Sequence, residues 1–345
     1  MYDLVVIGAG SGGITAAQFA ARLGVKVALV EKHRIGGDCT WTGCVPSKAL
    51  LKIAKTAHAV RTASQVGIET GGPPRVDMVA VRAAVRRAVT GVYRHETPEK
   101  LAAEGIEVLF GAAQFVDPHT LHASEQTLTA KKFIIATGAH PFIPPVPGLA
   151  DVPYQTYLQI FNNQHLPEHL LVMGAGPIGV ELAQAYRRLG ARVTLVDVGL
   201  LPREEPEVAQ VMGRVFAREG IEFVPGLVSE ARQEGGQTVI TVAGQEYRGD
   251  VLLVAVGRAP NVAGLNLTQA GVRATPNGIP VDDYLRTNVR HIFAAGDVIA
   301  GNYQFTHVAG WQGYKAVRNA LLPGNERGVT GVMPWTTFTE PEVAH

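Results

Sequence analysis

An α/β fold with two Rossmann-like dinucleotide-binding domains is predicted by three features of the sequence. Short apolar runs with the pattern of buried parallel strands recur along the chain, each ending in a glycine-containing turn: Leu4–Ile7, Phe133–Ala136, Leu170–Met173, Val251–Ala255 and Ile292–Ala295. Two of these runs lead into G-x-G-x-x-G and then a helical segment. Aligned without gaps, Leu4–Glu31 and Leu170–Asp197 share 14 of 28 residues, an internal repeat that makes the two units copies of one design.

The first copy begins with a strand from Tyr2 to Ile7. Gly8-Ala9-Gly10-Ser11-Gly12-Gly13 follows, then a helix from about Ile14 to Leu23 stopped by Gly24, and a strand from Val27 that closes on Glu31, with Lys32 next. The glycines let backbone approach a pyrophosphate, the helix N-terminus faces the phosphates, and the acid accepts from a ribose hydroxyl. A helix is expected from Pro46 to about Ala63, a turn-rich break from Gly67 to Pro74, and one long helix from Met78 to Leu101 whose Arg82, Arg86 and Arg87 form a solvated face. Short strands fill Ile106–Ala130, and the Phe133 strand ends at Thr137-Gly138. The proline-rich stretch His140–Gly148 reads as a linker.

The second copy runs through Gly174-Ala175-Gly176-Pro177-Ile178-Gly179, a helix to Leu189, and a strand ending at Asp197, again 23 residues after the first glycine. A helix from about Glu205 to Glu219 and several strands to Ala243 precede the strand that ends in Val256-Gly257-Arg258. The Ile292 strand ends in Gly296-Asp297, and a last helix is expected from near His307 to Leu322.

Between the first copy and the long helices lies Gly36–Lys48, which holds both cysteines, Cys39 and Cys44. A regular helix would place positions five apart about 7.5 Å along its axis on different faces, so a disulfide here requires a bend, which Gly43 permits. Pro46 suits the first turn of a helix, and that places Cys44 near a helix N-terminus, where the dipole favours a thiolate. Two inert buried cysteines, a structural disulfide and half of a zinc site are the competing readings. The last lacks a histidine pair at ligand spacing, and no metal site is expected.

Composition narrows the function. The 345 residues carry 31 basic and 30 acidic side chains, net +1, which gives no electrostatic reason to expect nucleic acid or an anionic membrane. Hydrophobic content of 46% with 39 glycines fits two or three α/β domains, and no apolar run reaches a membrane span. The strand at Tyr2 leaves no room for a signal peptide, so a cytoplasmic, reducing setting is expected, in which a lone cysteine pair reads as redox-active.

Taken together, Gly8–Gly13 with Glu31, Gly36–Lys48, Ala136-Thr137-Gly138, Gly174–Glu181, Val256-Gly257-Arg258 and Ala294–Asp297 resemble, in family order, the class I pyridine nucleotide–disulfide oxidoreductases. These include dihydrolipoamide dehydrogenase, glutathione reductase and mercuric reductase, and the wording around Cys39 looks most like a mercuric-reductase-like subgroup. The thioredoxin reductase branch does not fit, because its C-x-x-C lies in the nicotinamide domain. The resemblance implies a flavin domain (1–148 and 273–332) split around an inserted nicotinamide domain (149–272), with 333–345 as the start of a dimerisation domain.

It further implies FAD at the first fingerprint, with Gly37, Asp38, Thr137, Gly138 and Asp297 beside Gly296 as contacts, and backbone near Ala113 and Phe305-Thr306-His307 against the cofactor. The second fingerprint would take the nicotinamide nucleotide, and Val228, Gly257 and Arg258 are further cofactor contacts. Asp197 argues for NAD(H) over NADP(H), although Arg203 could hold a 2′-phosphate. By the same resemblance Cys44 is the flavin-side thiol, Cys39 the interchange thiol, and Lys48 a flavin-side lysine ion-paired with Glu181. Pro177 stands where glutathione reductase has a tyrosine gate.

The implied activity is an NAD(P)H-dependent reductase passing electrons through FAD and Cys39–Cys44 to a small-molecule or protein disulfide, or to a metal ion. The family's His–Glu acid–base pair and homodimer interface belong to the region where this sequence stops. A piece of a longer protein and a natural short form are both open at this point. So are a non-turnover flavoprotein sensor and a flavin-only NADH oxidase or diaphorase.

Overall fold

The computed structural model describes every residue of the chain except 330. The chain divides into two compact units. One comprises residues 1–41, 91–140 and 258–333, the other 42–90, 141–257 and 334–345.

In chain order, β1 (Tyr2–Ile7), α1 (Ser11–Arg22) and β2 (Val27–Glu31) build the first βαβ unit, followed by the short α2 (Gly37–Trp41). Then come α3 (Cys44–Thr62), α4 (Met78–Tyr93) and α5 (Pro98–Ala103). The expected single helix from Met78 to Leu101 is therefore two. Tyr93 ends the first, and Thr97 caps the second, its hydroxyl accepting from Lys100 N at 3.4 Å with Pro98 at the first helical position. Strands β3 (Ile106–Phe110), β4 (Ala113–Asp117), β5 (Thr120–Ala123) and β6 (Gln126–Ile135) follow. The proline-rich linker opens as a short strand, β7 (Ala139–Pro141), because only its later prolines exclude pairing.

The second βαβ unit consists of β8 (His169–Met173), α6 (Pro177–Leu189) and β9 (Arg192–Asp197). After it come α7 (Pro206–Glu219), β10 (Ile221–Pro225), the meander β11 (Val228–Glu234), β12 (Gln237–Val242) and β13 (Gln245–Gly249), then β14 (Val251–Val254) and β15 (Arg258–Pro260). The chain continues with β16 (Ile292–Ala294), α8 (Thr306–Leu321), β17 (Thr336–Thr337) and β18 (Val343–Ala344).

The first unit's sheet has the order β3-β2-β1-β6-β5-β4, with β16 also paired to β6. Its β3-β2-β1-β6 part is parallel, and β4 and β5 are antiparallel additions. The second unit's parallel sheet runs β10-β9-β8-β14. The repeat extends to the hydrogen-bond register. Leu4 pairs with Val27 and Ile7 with Val30 in one unit; Leu170 pairs with Val193 and Met173 with Val196 in the other. β8 is buried throughout and β1 at every position but Asp3, as befits central parallel strands with helices on their faces.

Residues 42–90 pack with the second unit rather than with the first, where the sequence reading counted them. The apolar face of α3 (Leu50, Ala54, Ala57) and that of α4 (Met78, Val81, Val85) belong to the same core cluster as Leu182, Ala185 and Leu189 of α6. Residues 258–272 likewise group with the first unit, where Leu265, Leu267, Ala270 and Val272 join its core. Among the described residues no helix is long and apolar enough to cross a membrane.

Candidate functional site

The first fingerprint is a turn that tolerates no side chains at defined points. Gly8 has φ +100°, and a Cβ there would lie 2.4 Å from Ala136 O; a Cβ on Gly13 would lie 1.8 Å from Gly8 O. Gly10 precedes α1 without a side-chain cap, so the first-turn amides, from Ser11 onward, are left for an incoming acceptor. Glu31 closes the turn: its carboxylate accepts from Ala9 N at 2.7 Å and from His33 N at 2.8 Å. Lys32 is exposed beside it. A Cβ on Gly37 would stand 2.6 Å from Gly10 Cα, so α2, which carries Asp38 and Cys39, is seated directly on the fingerprint. α8 packs on α1 just as closely, with Gly313 against the carbonyl of Gly12 at 2.1 Å from an added Cβ. A cradle that a single methyl group would fill, next to uncapped amides, fits a dinucleotide pyrophosphate.

At the carboxyl ends of this sheet the motifs Ala136–Gly138 and Arg258–Asn261 are tied together. Asn261 Nδ2 donates to Thr137 O at 2.8 Å, Thr137 Oγ1 donates to Asn261 O at 2.7 Å, and Asn261 N donates to Gly138 O at 2.9 Å. Arg258 spans two carboxylates, donating to Asp297 and to Asp38 at 2.5 Å each. Burial pushes the Asp297 carboxyl above its ordinary range, the Arg258 guanidinium opposes this, and the Asp38 charge adds to it. The turn carrying Gly296 and Asp297 is held from below by Gln312, a buried residue of α8 whose Oε1 accepts from Gly296 N and from Asn302 Nδ2, both at 2.9 Å. Ala113 opens β4 and is buried. Phe305 precedes α8, Thr306 starts it, and the Phe305 and His307 rings stack at 5.6 Å.

The second fingerprint repeats the first in atomic detail. Gly174 has φ +109° and lies under Ala255 O; an added Cβ on Gly179 would stand 1.8 Å from Gly174 O. α6 starts from Gly176 with Pro177 in its first turn, Ile178 next, and no side-chain cap. Asp197 takes the place of Glu31: its carboxylate accepts from Ala175 N and from Val198 N at 2.7 Å each. Arg203 is exposed, Val228 is buried at the start of β11, and Gly257 adopts φ +139°.

The same unit contains Lys48 and Glu181. Cys44 is the first residue of α3, two positions earlier than a start at Pro46 would put it, and Lys48 lies one turn later on the same face. Lys48 Nζ is 2.9 Å from Glu181 Oε2 on α6, and the Glu181 side chain is 8% exposed. Glu181 Oε1 accepts from the backbone N of Phe338 at 2.8 Å, and the Phe338 ring lies 4.3 Å from Lys48 Nζ. Behind this pair a cavity of about 580 Å³ is lined by Lys48, Lys52, Lys55, Glu181, Arg188 and Phe338. Its lining includes a part-buried network in which Arg188 donates two bonds to Glu219, at 2.6 and 2.8 Å, and one to Glu340 at 2.5 Å. Glu340 also binds Lys55 at 2.7 Å, which holds its carboxyl below the usual range.

Cys39, on α2, and Cys44 are both half-buried. The structure thus brings Lys48 to Glu181 and Asp38 to Asp297 through Arg258. Arg258 was expected as a cofactor contact, not as a bridge between two carboxylates. Phe338, Arg188, Asn261 and Gln312 were not singled out in the sequence. Asn261 alone had a signal there, as the last residue of Gly257-Arg258-Ala259-Pro260-Asn261, which follows a buried strand.

The pyridine nucleotide–disulphide oxidoreductase family model matches residues 2–313. The mercuric reductase of Bacillus cereus is 34% identical over 351 residues, covering 99% of this chain and 55% of the relative. That of Streptomyces lividans is 38% identical over 357 residues, covering 99% of this chain and 75% of the relative. The chain therefore spans little more than half the length of some curated relatives it matches. The HOCl-induced flavoprotein disulfide reductase RclA from Escherichia coli, solved also as a Cu(II) complex, superposes with a TM-score of 0.86 at 28% identity, over 99% of this chain and 76% of its own.

Proposed function

From the premise that this chain belongs to the pyridine nucleotide–disulphide oxidoreductases, we propose that it is the reductase module of an enzyme that uses NADH to reduce a disulfide or a thiophilic metal ion through the Cys39–Cys44 pair. The observation that carries the reading is the placement of Lys48 one turn after Cys44 and in an ion pair with the buried Glu181, on the helix that the second fingerprint opens. FAD, when bound, supplies the two-electron chemistry that links a reduced nicotinamide to a disulfide.

The chain's residues divide that work. Gly8, Gly10, Ser11, Gly12, Gly13 and Glu31 would hold FAD at the first turn, with Gly37, Asp38, Thr137, Gly138, Gly296 and Asp297 along its length. Gly174, Gly176, Gly179 and Asp197 would hold the nicotinamide nucleotide. The Asp197 carboxylate already accepts two backbone N–H groups and keeps lone pairs for ribose hydroxyls, while its charge repels a 2′-phosphate. The start of α3 and the Lys48 ammonium both favour negative charge on Cys44.

For a disulfide substrate, the Cys39 thiolate attacks one substrate sulfur and expels the other as a thiolate, forming a mixed disulfide. Cys44 then attacks Cys39, releases the second substrate thiolate and restores the Cys39–Cys44 bond. Two protons from solvent complete two product thiols. A metal-ion substrate would instead be captured by the two thiolates, which prefer soft ions.

Anaerobic titration of the FAD-loaded protein with NADH, and separately with NADPH, tests this. A long-wavelength absorbance band that forms faster with NADH and is lost in Cys44→Ser is the expected result. Flavin bleaching without the band, unchanged in Cys44→Ser, would move the chain to a flavin-only oxidase.

A further inference from the structure

A second group of polar side chains lies in the second unit. Glu204 and Glu205 precede α7, and the β17–β18 hairpin, in which Thr336 pairs with Ala344, carries Trp335 and His345 at its open end. Trp335 and His345 exchange backbone hydrogen bonds at 3.2 and 2.9 Å, and their rings stack at 4.3 Å within 5° of parallel. The Glu204 side chain is 3% exposed. Its Oε1 accepts from Trp335 Nε1 at 2.8 Å, whereas its Oε2 is buried and accepts no hydrogen bond among the described residues.

A buried carboxylate oxygen left in that state is costly unless a cation meets it. His345 Nδ1 lies 3.3 Å from Glu204 Oε2 and 3.5 Å from Glu205 Oε2. Charge-assisted N–H···O bonds run about 2.7–2.9 Å, so neither contact is a good one. The edge of a tetrahedron built on metal–ligand bonds of about 2.0–2.1 Å is about 3.3–3.4 Å, close to both separations. One ligand atom from each of the three residues lies within 4.8 Å of the others.

The geometry points to a divalent-cation site, with Glu204, Glu205 and His345 as ligands to an ion of the Zn2+ class. The donors are one imidazole nitrogen and two carboxylate oxygens, a set that suits borderline ions and leaves a fourth position open to water. Trp335 positions two of the three ligands, through its indole N–H to Glu204 and its ring face to His345. Tying Glu204 and Glu205 to His345 fastens the start of α7 to the terminal hairpin, so the ion is structural and stands outside the redox reaction.

The test is calorimetric titration of the untagged, FAD-loaded protein with Zn2+, its thiols blocked by alkylation so that Cys39 and Cys44 cannot bind the ion. One ion per chain is expected, with a dissociation constant on the order of micromolar. Glu204→Gln and His345→Ala should each weaken binding at least about tenfold, while Glu207→Gln, in the first turn of α7, leaves it unchanged. His345→Ala also removes the stacking on Trp335, so Glu204→Gln, which keeps the size and shape of the side chain, separates loss of a ligand from loss of packing. Co2+ in place of Zn2+ should give the intense visible bands of a tetrahedral site, abolished in His345→Ala. Failure to bind Zn2+ saturably, or binding that both variants leave intact, overturns the assignment. Neither outcome bears on the Cys39–Cys44 reading.

Discussion

Lys48 Nζ stands 4.3 Å from the centre of the Phe338 ring and 2.9 Å from Glu181 Oε2, so one ammonium is fixed by a carboxylate and an aromatic face that lie 157 residues apart in the chain. A cation over an aromatic ring contributes about 0.5–2 kcal/mol, more as it is desolvated. Phe338→Leu keeps the backbone bond to Glu181 and removes only the ring face. A double-mutant cycle of Lys48→Met and Phe338→Leu in urea unfolding should therefore return a coupling of about 0.5–1 kcal/mol. Zero coupling would mean that the ring merely covers the pair.

Gly13 and Gly179 are equivalent positions whose substitution should fail in separate ways. A methyl group at either would stand 1.8 Å from a carbonyl oxygen, a contact only backbone movement relieves. Gly13→Ala is expected to abolish FAD retention on gel filtration. Gly179→Ala is expected to retain FAD and lose reduction by NADH. Loss of both properties in both variants would show that the units do not work separately.

At the strand end, Asp197→Ala removes a charge that a 2′-phosphate would meet. NADPH-driven flavin reduction should rise relative to NADH by about tenfold, the equivalent of 1.4 kcal/mol. Stopped-flow rates with the two nucleotides measure the ratio directly.

Arg188 is 7% exposed and holds Glu219 and Glu340 together. Arg188→Leu leaves the buried Glu219 without its bidentate partner and should cost about 3–5 kcal/mol in denaturant unfolding. Lys55→Ala touches only the exposed side of Glu340 and should cost about 1 kcal/mol or less. Equal effects would mean that the network is no stronger than a surface pair.

His169 sets a pH dependence. Arg192 donates to its Nδ1 at 2.8 Å, so its Nε2 carries the proton, which it gives to Thr194 Oγ1 at 2.8 Å, and Thr194 in turn donates to Glu222 at 2.8 Å. Burial, and secondarily the Arg192 charge, lower the pKa of this histidine below 6.5, against the pull of Glu222 and Asp250. Near pH 6.5 and below, the unfolded chain then binds more protons than the native one, so stability falls as pH drops through that range. Melting temperatures measured from pH 7.5 to 5.5 should fall less steeply in His169→Gln than in the parent.

The fold was legible where local pattern suffices. Leu4–Glu31 and Leu170–Asp197 each contain strand, turn, helix and acid in one stretch, so their βαβ geometry needs no distant partner. The break between α4 and α5 was legible in Thr97-Pro98, a capping residue followed by a proline suited to a helix start. The assignment of α3 and α4 to the second unit was not legible, because an apolar face does not state which sheet it will cover. The pairing of Lys48 with Glu181, 133 residues apart, came from family resemblance. Arg188 with Glu340, and Gln312 beneath Gly296, had neither motif nor proximity, since buried polar networks are settled by tertiary packing.

The matched register of the two βαβ units has a consequence for how the chain reaches its native state. Strand β1 offers the same backbone bonds as β8 and similar apolar side chains over Leu4–Ile7 and Leu170–Met173, so during refolding either strand can dock where the other belongs. Early misassembly of this sort is a characteristic hazard of repeated units within one chain. What tells the strands apart is the helix each brings along. Ala20 on α1 corresponds to Tyr186 on α6, a fully buried ring whose hydroxyl donates to Ile160 O at 2.7 Å. An exchanged α1 leaves the Tyr186 site hollow, and an exchanged α6 forces a phenol into space made for a methyl group. This contrast, together with the reverse one at Phe19 and Ala185, therefore acts as a proofreading signal between the two helices.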